Sequence, residues 1–317
     1  MIRRGDTGDE VRELQAALVD AGYGLVVDGV FGAHTERVLI GWQQRHALAP
    51  DGIAGPVTLS ALTSTWSAPI TSVGAWCGRS SLASPERDVA FAVERLRLTD
   101  LHVMVNDHSR RRAYAPFGLS VCASQIKALA RRATDAGLRV HLTSWIMPFE
   151  AYIHGAVEVA MLARDVGAAS VQWDAEEPWM HGGDLTHGAA AKLIRRLMPG
   201  CTMGVTGIGW ASAPKMGPLS AVCDYLVPQC YSTTSSNVRP ERTGALAGRW
   251  RGLFGGHIIA GLAAYRQHGI AGHTATSAMG AALESVQSAG VSEVIYWSLG
   301  HLRRSKECAR FVAGIMQ

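Results

Sequence analysis

Eight short apolar runs divide residues 71–300, and segments with helical signals fill the gaps between them. The runs are TSVGAWC (71–77), LHVMVND (101–107), RVHLTSWI (139–146), SVQWDAE (170–176), CTMGVTGI (201–208), YLVPQCYS (225–232), IIAGLAAY (258–265) and EVIYWSLG (293–300). Each has the length and composition of a buried strand. Between them, Ser84 and Pro85 sit where a helix takes its N-cap and first residue. Gly137, Gly167, Gly200 and Gly290 each follow a helical stretch and precede a strand, as C-terminal stop residues do. Eight strand–helix units in about 250 residues predict an α/β fold, a (β/α)8 TIM barrel. An open doubly wound sheet is the alternative. Its first turn would carry G-x-G-x-x-G, where this chain reads GAWCGRS (74–80).

Residues 1–65 follow a different pattern. DGVFGAHT (28–35) returns as DGIAGPVT (51–58), each with an Asp-Gly turn and a threonine near a helix start. DEVRELQAALVDAG (9–22) places Val11, Leu14 and Leu18 on one helical face, and TERVLIGWQQRHAL (35–48) does so with Val38, Leu39 and Trp42. A small three-helix domain is expected over 1–65, a hinge at WSAPI (66–70), and the barrel over 71–317.

The first region resembles the peptidoglycan-binding domain type one. Gly5-Asp6-Thr7-Gly8, Gln15, Gly22, Asp28-Gly29-Val30-Phe31-Gly32, Thr35, Trp42-Gln43, Asp51-Gly52-Ile53, Gly55 and Thr58 carry the match. The resemblance implies bacterial peptidoglycan as the partner, with Asp28, Phe31, Trp42 and Asp51 as candidates for wall contact.

In a parallel barrel the chemistry lies at the C-terminal strand ends. Asp107, Trp145, Gln229, Tyr231, Tyr265 and Trp297 fall there, and the fourth strand ends in VQWDAEEPW (171–179). Aromatic rings beside a few acids suit a sugar, whose apolar face stacks while polar groups bind its hydroxyls. Side chains alternate along a strand, so Asp174 and Glu176 share the inner face and Glu177 points away. Two carboxylates on one substrate interact, so one proton is held tightly. Glu176, with the longer reach, is expected to be the general acid and Asp174 its inner partner. Glu177 is expected to form a salt bridge or seat the following loop. Asp107 adds a third carboxylate or closes a turn. His181 and His187 are expected in a solvated loop, and Cys230 as a buried thiol.

The D-x-E of Asp174 and Glu176 resembles that of chitinase-type glycoside hydrolases of family eighteen. There the glutamate is the acid, and the aspartate orients a substrate acetamide that attacks the anomeric carbon. Gln229-x-Tyr231 is similar to the site that steadies the acetamide, and Trp297 to the floor of the cleaved subsite. The longer D-x-x-D-x-D-x-E has Ala169 and Gln172 here. Lysozymes of family twenty-five are a second resemblance, although TSVGAWC lacks their first-strand aspartate. Together the two regions resemble a phage endolysin. That implies hydrolysis of a β-1,4 bond in the wall glycan, as a muramidase or N-acetylglucosaminidase. The alternatives are a chitinase on another N-acetylated polymer, a wall lectin that only binds, and an amidase or peptidase.

Composition narrows the classes. The chain has 30 Lys and Arg against 26 Asp and Glu, and only four of the cations are lysine. The small excess favours an anionic polymer weakly. No basic stripe with interleaved aromatics points to nucleic acid, and Arg110-Arg111-Arg112 reads as a solvated loop. Six cysteines without C-x-x-C spacing read as reduced thiols. MIRRGDTGDE lacks a signal core, and no run reaches the ~20 apolar residues of a membrane span. The expectation is a monomer without cofactor, metal or membrane insertion, and the endolysin resemblance implies that it is held in the host cytoplasm until the membrane is permeabilised.

Overall fold

The computed structural model describes residues 1–45, 48–63, 68–106, 123–208, 213–231, 239–264 and 273–316. Nine strands form one parallel sheet: β1 (Ser72–Cys77), β2 (Asp100–Met104), β3 (Arg139–Trp145), β4 (Ser170–Asp174), β5 (Met203–Ile208), β6 (Tyr225–Gln229), β7 (His257–Ile258), β8 (Ala260–Ala263) and β9 (Glu293–Trp297). β1 pairs with both β2 and β9, and β5 pairs with β6, so the sheet closes. Helices follow the strands and form an outer layer, which is the predicted barrel.

The seventh predicted run forms two strands because of its neighbour. Leu226 pairs with Ile258 and Gln229 with Gly261 in the same register. Ile259 N donates to Leu226 O and Cys230 N to Gly261 O. On that pattern the bond between them would come from residue 228, a proline without an N–H.

Alternation sorts the strand residues. Val73, Ala75, Val103, Val140, Leu142, Val171, Trp173, Val205 and Val294 face the helices and build the main core. Trp76, Tyr225, Val227 and Ile295 form a separate cluster, capped by the partly exposed Met104, Tyr231, Ile259 and Trp297. The inner face is unusually polar at the strand starts. Asp100 accepts from Ser72, Thr99 and Arg139, and His141 bridges Asp100 to Ser170, whose hydroxyl meets Tyr225 Oη. His102 stacks on His141 with ring centroids 4.4 Å apart.

The N-terminal region holds three helices, Asp9–Asp20, Ala33–Arg45 and Pro56–Thr63, around Ile2, Val11, Leu14, Leu18, Phe31, Leu39, Trp42 and Ala54. The sequence echo becomes two matching networks. Gln15 Nε2 donates to Asp28 Oδ1, Val30 O and Thr35 Oγ1, and Gln15 Oε1 accepts from Gly29 N. Gln43 makes the same four bonds with Asp51, Ile53, Thr58 and Gly52. Both glycines have positive φ, +77° and +70°, which is why the Asp-Gly pair recurs.

This helical module docks on the barrel helix Thr243–Phe254. A Cβ added to Gly248 would lie 2.0 Å from Gly22 O, so the two backbones touch. The connecting segment is tied down where Ala68 and Gln287 exchange hydrogen bonds.

Candidate active site

Asp174 closes β4 at the barrel mouth and is buried, with 6% exposure. Glu176 follows two residues later, half-buried, at the N-cap of the short helix Glu177–His181. Gln229 ends β6. Its Nε2 donates to Asp174 Oδ1 at 3.2 Å and to Glu176 Oε1 at 2.9 Å. One amide therefore holds both acids.

Burial pushes the Asp174 carboxyl well above the usual range, and the Glu176 charge adds to this; the Gln229 bond works the other way.

The rim carries partly exposed rings. Trp145 ends β3 as the register partner of Asp174, and Trp297 ends β9 with its ring 6.0 Å from that of Trp76. Tyr231 lies just past β6 and packs with Trp297 on the inner cluster. Trp145, Asp174, Glu176, Gln229, Tyr231 and Trp297 are therefore brought to one mouth. Asp107 and Tyr265 lie outside the described residues, as do Arg110-Arg111-Arg112 and the side chain of Glu177.

Other expectations resolve differently. The two indoles of VQWDAEEPW are structural. Trp173 faces the outer core and donates to Met203 Sδ, and Trp179 is buried and donates to Lys215 O. His187 is held against Trp179 O at 2.8 Å rather than loose in a solvated loop, while His181 is exposed. Cys230 is a buried outward thiol, and burial pushes its pKa up to about 12.

In the helical module, Phe31 and Trp42 are 1% and 2% exposed. Their rings fill the three-helix core, so they stand behind the surface rather than on it as wall contacts. Asp28 and Asp51 are exposed, but each spends Oδ1 on closing its turn, accepting from Val30 N and Ile53 N as well as from glutamine. Those bonds hold both carboxyls below the usual range.

Three further polar residues lie beside these: Asn106, which closes the second strand run with Asp107, and the inward Gln172 and Thr206, which had not been placed at the site. Gln172 Oε1 accepts from Trp76 Nε1 and Thr143 Oγ1 one layer below Asp174. Asn106 accepts from Trp145 N and donates to Ser144 Oγ, bracing the end of β3. Thr206, on β5, is the register partner of Asp174. Strand alternation could have found Gln172 and Thr206; the cross-strand role of Asn106 has no local signal.

Comparison with known proteins separates the two regions. Residues 7–62 match the family model described as "Putative peptidoglycan binding domain". N-acetylmuramoyl-L-alanine amidase CwlM of Mycobacterium tuberculosis is 50% identical over 56 residues, 17% of this chain and 14% of that protein. The chain thus spans about one seventh of that curated relative's length. The barrel's likenesses are in fold. The spore cortex-lytic enzyme SleL of Bacillus cereus superposes with a TM-score of 0.55 at 10% identity, over 88% of this chain and 96% of that one. The xylanase and α-amylase inhibitor protein XAIP-II of Scadoxus multiflorus gives 0.51 at 10%, over 77% and 98%. The N-terminal helical module of this chain matches the peptidoglycan-binding family, and it is joined to a closed parallel (β/α)8 barrel.

Proposed function

We propose that this chain is a peptidoglycan hydrolase of endolysin type that cuts a β-1,4 bond of the wall glycan. The observation that carries this reading is the Gln229 amide spanning a buried Asp174 and a half-exposed Glu176 at the barrel mouth. The helical module over residues 1–65 brings the barrel to its polymer, and residues 71–317 form the catalytic unit. The fold likeness to a cortex-lytic enzyme agrees with this.

In the proposed reaction the proton held on Asp174 passes within the pair to Glu176, and Glu176 delivers it to the glycosidic oxygen. The C–O bond breaks, and the neighbouring acetamide oxygen takes the anomeric carbon, as in the family-eighteen resemblance. Water then adds and returns a proton to the pair. Gln229 keeps the two carboxyls in register, Tyr231 steadies the acetamide, and Trp145 and Trp297 offer faces for sugar rings. Trp297 rests on Trp76, which fixes its plane.

No helix among the described residues is long and apolar enough to cross a membrane. The enzyme is proposed to act as a monomer on the wall once the membrane has been permeabilised.

Mass spectrometry of fragments released from purified sacculi tests the reading. New reducing ends are expected with wild-type protein and none with Glu176→Gln. The terminal sugar separates muramidase from glucosaminidase. New amino groups instead would make the chain an amidase or peptidase. Cleavage of chitin but not sacculi would make it a chitinase. Wall binding without any cleavage would make the barrel a lectin.

A further inference from the structure

β4 and β5 run side by side at the mouth, with Asp174 opposite Thr206. Both side chains lie inside the barrel. Gly204, two residues before Thr206, faces the Tyr225 ring, which an added Cβ would strike, while Met203 and Val205 pack into the outer core. Thr206 is 1% exposed, and its Oγ1 has no hydrogen-bond partner among the described residues.

That hydroxyl is out of place on structural grounds. Valine has the same shape and no polar atom to strand, so it would serve a buried strand better. The neighbouring carboxyl supplies a reason. Asp174 gives Oδ1 to Gln229, and in the proposed reaction it changes charge while buried. A hydroxyl can accept from the acid and donate to its anion. Adjacent strands lie about 4.8 Å apart, so a side-chain rotation brings the two groups together.

We propose that Thr206 is a positioning residue for Asp174, and that its hydroxyl donates to the carboxylate left when the Asp174 proton passes to Glu176. The proposal rests on the reading of Asp174 and Glu176 as the acid pair. No proton leaves the threonine. Its hydroxyl only rotates onto Asp174 as that carboxyl ionises, and turns away when the pair is reprotonated.

The test compares Thr206→Val and Thr206→Ser with wild type and with Glu176→Gln. Valine is expected to fold with an unchanged or higher Tm. Its kcat on purified sacculi should fall by roughly ten- to a hundredfold with little change in KM, the scale of one hydrogen bond to a charged group. Serine should restore most of the rate. Independently of turnover, the Asp174 carboxyl, followed by carbon-13 NMR, should titrate at higher pH in Thr206→Val and near its wild-type position in Thr206→Ser. Wild-type kcat in the valine variant, or an Asp174 titration that does not move, overturns the proposal. If Glu176→Gln keeps full activity, the acid-pair reading is what has failed. The Asp174 titration then still decides whether Thr206 touches that carboxyl.

Discussion

Gly248→Ala tests how the helical module is held. The three atoms nearest an added Cβ are Gly22 O at 2.0 Å, Gly22 C at 2.6 Å and Gly22 Cα at 2.7 Å, so the clash falls wholly on the module. Real Cβ contacts essentially never fall under 3.0 Å, so Gly22 must retreat by about 1 Å. Overpacking of this kind costs about 1–3 kcal/mol, from which the helix gains back about 0.5–1 for losing a glycine. Gly252, in the same helix, has nothing within 4 Å of its would-be Cβ and gives the matched control. Beside it, Ala21 and Tyr23 line a cavity of about 280 Å³ together with Arg251, His257, Ile258 and Ala289, which leaves room for the module to shift. Gly248→Ala should therefore release the module while the segment at Ala68 keeps it tethered. Small-angle scattering should show a larger radius of gyration, and one unfolding transition should become two. Gly252→Ala should leave the scattering unchanged and raise stability slightly. If both variants scatter and melt alike, the Gly22 contact does not hold the module and the reasoning fails.

Three further outcomes are expected. Asp174→Asn and Glu176→Gln should each cut glycan cleavage by at least ~100-fold while leaving sacculus binding by pull-down unchanged, since the proposal gives the chemistry to the acids and the binding to the helical module. Gln43→Met, and its twin Gln15→Met, should each cost about 1–3 kcal/mol in urea unfolding of the module, because each strands a buried glycine N–H. Acid should destabilise the barrel in two stages. Burial, with the charge of His141, holds His102 well below its ordinary 6.5, so stability falls as pH drops below 6.5, where only the unfolded chain takes that proton. His141, Arg139, Ser72 and Thr99 hold Asp100 far below the usual carboxylate range, so its contribution is present above about pH 4 and is lost further into acid. His102→Phe should flatten the first stage in pH-dependent melting and leave the second.

The barrel was legible because strand length, apolar content and glycine stops are local properties that repeat eight times. One departure, the break at Ile259, follows from Pro228 on the facing strand, and no property of IIAGLAAY itself foretells it. The acids were legible through alternation, which put Asp174 and Glu176 on one face. The raised Asp174 carboxyl was not, because its burial depends on residues about 30 to 55 positions away in sequence, those of β3 and β5 and Gln229 on β6 among them. Phe31 and Trp42 show the opposite error. An aromatic in a binding module reads equally well as a contact or as core, and only the three-helix packing decides it. The Gly22–Gly248 contact joins residues with no shared pattern, so nothing in either segment announces it.

The position of Asp174 sets stability against chemistry. A carboxyl raised above its ordinary value by burial contributes most to stability below about pH 4, and this is lost as pH rises through the folded-state value. At neutral pH asparagine, which needs no proton to stay neutral, should make the more stable protein, as Asp174→Asn in thermal melts would show. In the proposed reaction the same burial keeps a proton within reach of Glu176. Gln229 accommodates the conflict by giving one amide to both acids, so neither faces the barrel interior without a donor. In the proposed reaction Thr206 extends that logic to the state in which Asp174 has passed its proton to Glu176 and is left as a buried anion with only a shared amide donor. A second donor is then required on the buried side, and the unpartnered hydroxyl opposite Asp174 is the group placed to supply it.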